Sequence, residues 1–247
     1  MLPTTFFGWL GYLWAEYWPL FLQGSWMALV IALFGTVIGF ALGLLVAIVR
    51  TMPREAGAPL YRRVLMGLLH FLCGAYVQVF RGTPMIVQAM VIFYGLIQYA
   101  HIQLPLLAAS IVIMGVNTGA YMAETVRSGI ISIDKGQTEA AMSIGMTHWQ
   151  TMRCIVLPQA IRNVLPTVCN TLVANVKDSS LLNVIAVSEL YFVAKSAAGT
   201  YFKYFEVYTI VAVIYFILTA VISELLLRWE KKLDGPKDFV LADEEDV

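Results

Sequence analysis

The sequence predicts an all-α integral membrane protein, and three observations carry that prediction. Of its 247 residues, 60% are hydrophobic and only 13% are charged, with a mean hydropathy of +0.76. A soluble domain holds roughly 45–50% apolar and 25% charged residues. Residues 20–49 contain no charge at all; as a helix this stretch is ~45 Å long, more than the ~30 Å of a bilayer core. One long polar-rich interruption, residues 134–166, then divides the remaining apolar stretches. The lipid bilayer is therefore the first partner. The formal net charge is zero, which argues against nucleic acid as a partner.

The chain divides into an N-terminal aromatic segment (residues 1–19), a transmembrane domain (20–232) and an acidic tail (233–247). The first segment has no basic residue and is rich in Trp9, Trp14, Tyr17 and Trp18. A signal peptide needs a positive start, so this reads as an interfacial aromatic cluster outside the membrane, forming a short helix on the outer surface. In the first span, Gly35, Gly39 and Gly43 recur every fourth residue and build a smooth face for close helix packing. Arg50, Arg54, Arg62 and Arg63 follow, opposed only by Glu55. Basic residues beyond one end place that loop inside and the N-terminus outside.

Residues 64–80 are apolar but carry His70 and Gln78, and Arg81, Gly82, Thr83 and Pro84 separate them from residues 85–99. Residues 100–104 hold no Lys or Arg and belong outside. One net crossing satisfies both neighbours. Residues 61–80 then form a tilted or interfacial helix that leads, through a break at 82–84, into the crossing segment. The next span, 104–131, contains Asn117, Glu124 and Arg127. Glu124 and Arg127, three apart on a helix, can pair; a structural ion pair near the inner surface and a place in a polar pathway both stay open.

The polar interruption opens with Asp134, Lys135 and Gly136, continues through Glu139, Ala140 and Ala141, and reaches Gly145, which costs a helix about 1 kcal/mol relative to Ala. Ile155, Leu157 and Pro158 follow, and Pro158 lacks a backbone donor. Two short helices joined by a bend are expected, lying on the membrane face as a loop over residues 134–158. Beyond it, residues 166–187 make ~33 Å of helix, just a crossing. Near its middle lie Asn175, Lys177, Asp178 and Ser179. Ionised groups at that depth are costly unless paired or facing water. Adjacent residues on a helix point about 100° apart, so Lys177 and Asp178 find different partners. Residues 204–227 form a clean last span, with Arg228, Lys231 and Lys232 beyond it on the inner side.

Glu139, Ala140, Ala141, Gly145, Ile155, Leu157 and Pro158, at this spacing, resemble the EAA loop of ABC importer permeases, the cytoplasmic coupling helix that docks into the ATP-hydrolysing subunit. The resemblance extends to residues 79–84 (VFRGTP), 120–127 (AYMAETVR) and 176–181 (VKDSSL), which look like segments of polar amino-acid permeases of the histidine, glutamine and arginine type. It covers about residues 20–230. It implies the type I (MetI-like) permease fold with five transmembrane helices, N-terminus outside and C-terminus inside, in a bacterial cytoplasmic membrane.

The same resemblance implies the partners. They are an ABC ATPase dimer carrying ATP and Mg, a second permease subunit, identical or homologous, and an extracytoplasmic amino-acid-binding protein. No Walker A sequence is present, so no ATP chemistry is assigned to this chain. Glu139 is the expected polar contact to the ATPase, with Ala140, Ala141 and Gly145 small enough for close approach. For a zwitterionic amino acid, Asp178 is the candidate partner of the ammonium, with Asn175 and Ser179 nearby. Arg81 is the candidate for the carboxylate, or else caps the helix break. Lys177, Glu124, Arg127 and Asn117 complete the candidate pathway.

Other classes fit less well. His70, His101 and His148 are scattered, no HExxH or GxSxG occurs, and neither catalysis nor a metal is indicated. Cys73, Cys154 and Cys169 lack CxxC spacing and read as small core residues. A secondary transporter has no need of an EAA loop. A permease of the same fold for methionine or an oligopeptide is the closer alternative.

Overall fold

A computed structural model describes residues 2–52 and 59–234. Arg54, Glu55 and the acidic tail beyond residue 234 lie outside the described residues. The chain is helical throughout: α1 (Phe6–Thr51), α2 (Leu60–Gly82), α3 (Met85–Gln98), α4 (Leu106–Ile131), α5 (Lys135–Ser143), α6 (His148–Thr151), α7 (Leu157–Asp178), α8 (Leu190–Tyr201) and α9 (Tyr204–Asp234). A π turn, Met152–Val156, joins α6 to α7, and a 3₁₀ stretch, Ser179–Ile185, follows α7. Among the described residues four helices (α1, α2, α4 and α9) are long and apolar enough to cross a bilayer. A fifth crossing arises if the helical run His148–Ile185 and α8, bent by 56°, form one broken span.

Helix α1 is the mast of the structure, and its 46 residues make ~69 Å of helix. The aromatic N-terminal segment is not a separate surface helix, as its composition suggested. It runs straight into the first span through Pro19. Packing explains the continuity: Trp9, Leu13 and Phe21 are buried in one cluster with Leu190 and Ala194 of α8 and Val207 and Val211 of α9. Farther along, Ile31 packs with Ile113 of α4 and Met85 of α3. At the opposite end Ala47 joins Val126 of α4 and Val156, Ala160 and Val164.

The glycine seam works as the four-residue spacing predicts, and its partner is α4. A Cβ added at Gly39 would lie 2.7 Å from Thr118 Cβ, and one at Gly43 would lie 2.8 Å from the Ala123 backbone nitrogen. Only bare backbone allows the two helices to come this close.

The break at residues 82–84 is also where the sequence places it. Helix α2 alone is long enough for a crossing, whereas α3, with 14 residues, makes only ~21 Å. Their packing shows how the climb is shared. Val77, near the end of α2, sits with Val46 and Ala123, a few residues from the ends of α1 and α4. Helix α3 continues upward, so that Gln88 reaches Asn117 and Met85 and Ala89 pack with Ile31 and Ile113.

The polar interruption differs more. Helix α5 is the expected short helix, but the second short helix is the foot of a long one. From His148 the chain stays helical to Ile185, so that segment begins well before Pro166, which lies inside α7. The π turn marks the adjustment to Pro158. With no N–H at position 158 to meet the carbonyl of Cys154, the helix widens by one residue and Leu157 N–H donates to Met152. Gln159 Nε2 donates to the Ile155 carbonyl at 2.9 Å, which satisfies a group loosened by that change.

Candidate functional site

Two regions hold the residues singled out from sequence: the surface of the α5–α6 turn and a polar zone at the middle of the bundle. The turn is built by its caps. Asp134 accepts from Gly136 N–H at 2.6 Å at the start of α5. At its end Gly145 takes φ +87°; Gly145 N–H donates to Met142 and Met146 N–H to Ala141, at 3.0 and 3.1 Å. This paired closure needs a left-handed residue, the role that suits glycine. Thr147 and Gln150 then form a reciprocal capping box that starts α6.

That turn presents Glu139, Ala140 and Gly145 to solvent, with Pro158 also exposed and Ile155 and Leu157 half-buried. Ala141 does not belong to this outer face: it is 2% exposed and packed inward. Three apolar residues that sequence reasoning passed over take its place. Ile144 is 77% exposed, Met142 54% and Trp149 52%. These exposed apolar groups stand beside the exposed Lys135 and Glu139, the kind of patch that on other proteins marks an interaction surface. The signal available in the sequence was the apolar Ile144 inside a polar turn.

At the middle of the bundle, Asn175 Nδ2 donates to Thr36 Oγ1 at 2.8 Å and to Thr118 Oγ1 at 3.1 Å. These partners lie near the centres of the first span and of α4, so α7 reaches mid-depth at Asn175. Lys177 and Asp178 follow within one turn, both exposed on the isolated chain, while Val176 and Ser179 are buried. Among the described residues neither charge forms an ion pair. Asn175 and Ser179 are thus the inward-packed members of this turn, and Asp178, about 60° round the helix from Asn175, is on its exposed edge. Asn175 ties three helices together, and Ser179 Oγ donates to its own helix at Val176 O, 2.8 Å away.

Glu124 and Arg127 do pair, at 2.9 Å, and a third member missed in the sequence joins them: Arg50, at the end of α1, donates to the other Glu124 oxygen. The geometry is that of an ion cluster holding α1 to α4. Arg81 does not cap the α2–α3 break. Its guanidinium lies over the Tyr121 ring, 5.7 Å from the centroid. The capping falls to Gln88, whose Nε2 donates to Phe80 O and Thr83 O, both at 2.9 Å, while its Oε1 accepts from Asn117 at 2.8 Å. A second unpredicted residue, Glu189, is fully buried and accepts from Tyr191 and Phe192 N–H at 2.8 and 2.7 Å. It caps α8 and also accepts from Tyr215 of α9 at 3.0 Å.

The two breaks, at residues 82–84 and 179–189, meet through α3, whose Met85 and Ala89 pack against Leu182 and Ile185. Interrupted helices packed against each other are a recurrent feature of membrane transport proteins. The fold is that of a helical transport protein with an exposed turn at one end. The chain belongs to the family of binding-protein-dependent transport system inner membrane components, whose model matches residues 60–232.

The relatives agree. The chain is 34% identical over 224 residues to the glutamine transport system permease protein GlnP of Escherichia coli K12, covering 89% of this chain and 97% of that protein. It is 30% identical over 215 residues to the arginine transport system permease protein ArtQ of Bacillus subtilis 168, covering 87% and 93%. Among solved structures, it superposes on an amino acid ABC transporter with histidines at a TM-score of 0.75, with 34% identity over 88% of this chain and 96% of that one. The inward-facing MetNI methionine ABC transporter shares the fold, at a TM-score of 0.73, 23% identity and coverage of 88% and 98%. The MetI-like helical fold expected from the sequence is the fold observed.

Proposed function

We propose that this chain is the membrane-spanning subunit of an ABC importer for a polar amino acid, moving its solute by alternating access driven from a separate ATPase. The observation that carries this reading is the exposure of Lys177 and Asp178 near mid-depth, beside buried neighbours. Two adjacent opposite charges that form no ion pair among the described residues need water, a solute or a second subunit near them. A second permease chain across that face would enclose the path between the two copies. Asp178 would meet a substrate ammonium and Arg81 a carboxylate, with Lys177 and Asn117 along the path; Glu124 and Arg127 would hold its inner end.

Five crossings follow, with α2 and α3 together as the second and the bent α7–α8 run as the fourth. The N-terminus is outside and the C-terminus inside a bacterial cytoplasmic membrane. ATP and Mg act on an ATPase dimer that grips the α5–α6 turn through Glu139, Ala140 and Gly145, with Ile155, Leu157 and Pro158 behind them. A binding protein delivers the amino acid from outside.

The test is ATPase activity of the complex in nanodiscs, with a panel of amino acids and the binding protein. Stimulation by one polar amino acid, lost on Glu139→Arg, supports the proposal. Stimulation by methionine alone would transfer it to the methionine class, whose transporter shares this fold. Turnover indifferent to every amino acid would refute an amino-acid importer.

A further inference from the structure

Behind the docking turn, between it and the ends of α1 and α4, lies a cavity of about 360 Å³. Its wall brings together Arg50 from α1, Arg127 from α4, Lys135 from α5 and His148 from α6, and no carboxylate is among its described lining residues. Glu124, which pairs with Arg50 and Arg127, offsets one of these charges. Three cations less one anion leave a formal charge of +2 with His148 neutral. Asp134, the α5 cap, and Glu139 do not line the cavity.

Thr151 belongs to the same wall, is 1% exposed, and its buried Oγ1 has no hydrogen-bond partner, the only such side-chain atom among the described residues. Several other helical threonines of this chain are satisfied locally. Thr36, Thr171, Thr209 and Thr219 each donate to the carbonyl four residues earlier. A buried hydroxyl that declines this local bond, on the wall of a basic cavity, points to an acceptor from outside the chain. Guanidinium, ammonium and hydroxyl donors from four elements outnumber what two carboxylate oxygens can accept, and they suit the several oxygens of a phosphate. Ile130, Ile131 and Ile133 supply an apolar side to the cavity, and Ile131 is 63% exposed.

We propose that this cavity binds a phosphate group, of an anionic phospholipid or of a free phosphate, and so bridges α1 and α4 to the docking turn. Native mass spectrometry of the complex with its ATPase would read retention of phosphatidylglycerol after delipidation. Phosphorus NMR titration of the delipidated complex would read binding of inorganic phosphate. The variants are Thr151→Val, which keeps the shape and removes the hydroxyl, and Lys135→Gln; Lys203→Gln, beside Trp9 at the far end of the bundle, is the control.

Binding about tenfold weaker in either cavity variant, and unchanged in the control, is the expected result. Loss confined to phosphatidylglycerol identifies a lipid headgroup; loss confined to inorganic phosphate identifies a free phosphate. Equal retention of both probes in wild type and cavity variants would overturn the proposal. So would a carboxylate of the ATPase found seated among these donors.

Discussion

Asn175 donates to Thr36 across 139 positions of sequence, at 2.8 Å, and its second bond to Thr118 makes it the one side chain among the described residues whose hydrogen bonds join α1, α4 and α7. Asn175 and Asp178 stand three positions apart, yet their duties differ because Asn175 is packed inward and Asp178 lies on the exposed edge of the helix. Asn175→Ala removes the shared donor, while Thr36 keeps its bond to Ala32 O. Polar bonds between membrane helices are worth about 0.6 kcal/mol each, so the loss is about 1 kcal/mol and a melting temperature lower by ~2–4 °C. Asp178→Asn should leave the melting temperature alone and abolish uptake. Thermal unfolding and uptake, measured on both variants, separate the roles. Uptake lost at unchanged stability in Asn175→Ala would return Asn175 to the solute path.

The glycines of α1 are not equivalent. At Gly11 an added methyl meets nothing within 4 Å. At Gly43 it meets backbone, with Ala123 N at 2.8 Å. Overpacking that a side chain cannot relieve costs about 1–3 kcal/mol. Gly43→Ala should therefore lower the yield of folded protein sharply and Gly11→Ala hardly at all, read by size-exclusion chromatography of matched preparations. Equal effects would mean that the α1–α4 contact yields as a whole.

Ile144, 77% exposed in the docking turn, makes a cleaner coupling probe than Ala141, which is packed inward. Ile144→Glu places a charge where the native residue already faces solvent, so the stability of the isolated permease should change by less than about 0.5 kcal/mol. Solute-stimulated ATP hydrolysis by the assembled complex should nonetheless fall at least tenfold. Undiminished stimulation would move the docking face elsewhere on the turn.

How much could be read beforehand depended on whether a signal was local. The four-residue glycine spacing, the break at Gly82, Thr83 and Pro84, and the end of the short helix near Gly145 each follow from a residue's own backbone chemistry, and each is found in place. The continuity of α1 through its aromatic segment was not legible. Tryptophan and tyrosine are as much at home at a membrane surface as in a cluster, and only Leu190 and Val207, far along the chain, decide between the two. The foot of α7 was hidden for a related reason. Pro158 announces a lost donor, but whether the helix stops or widens into a π turn depends on what it packs against. Gln88 and Glu189 gave no motif to find; each caps a break whose other side lies on another element.

Glu189 shows what such a cap is worth. Its carboxylate is wholly buried and holds Tyr191 N–H, Phe192 N–H and the Tyr215 hydroxyl. The adjoining backbone leaves no room on its other side: a Cβ at Gly24 of α1 would lie 2.8 Å from Leu190 Cα. Glu189→Ala strands two part-buried backbone donors at the start of α8, a loss of about 1–3 kcal/mol and ~2–12 °C in melting temperature, with the α8–α9 contact loosened. Glu189→Gln keeps one carbonyl acceptor for the backbone and should recover more than half of that difference, since the cap depends on an acceptor rather than on charge. Thermal unfolding of the pair, with hydrogen exchange at residues 190–194 as the local readout, decides it. If Glu189→Gln were as damaging as Glu189→Ala, the negative charge itself would be the stabilising element, and the buried site would have to contain a cation-like partner beyond the three donors seen.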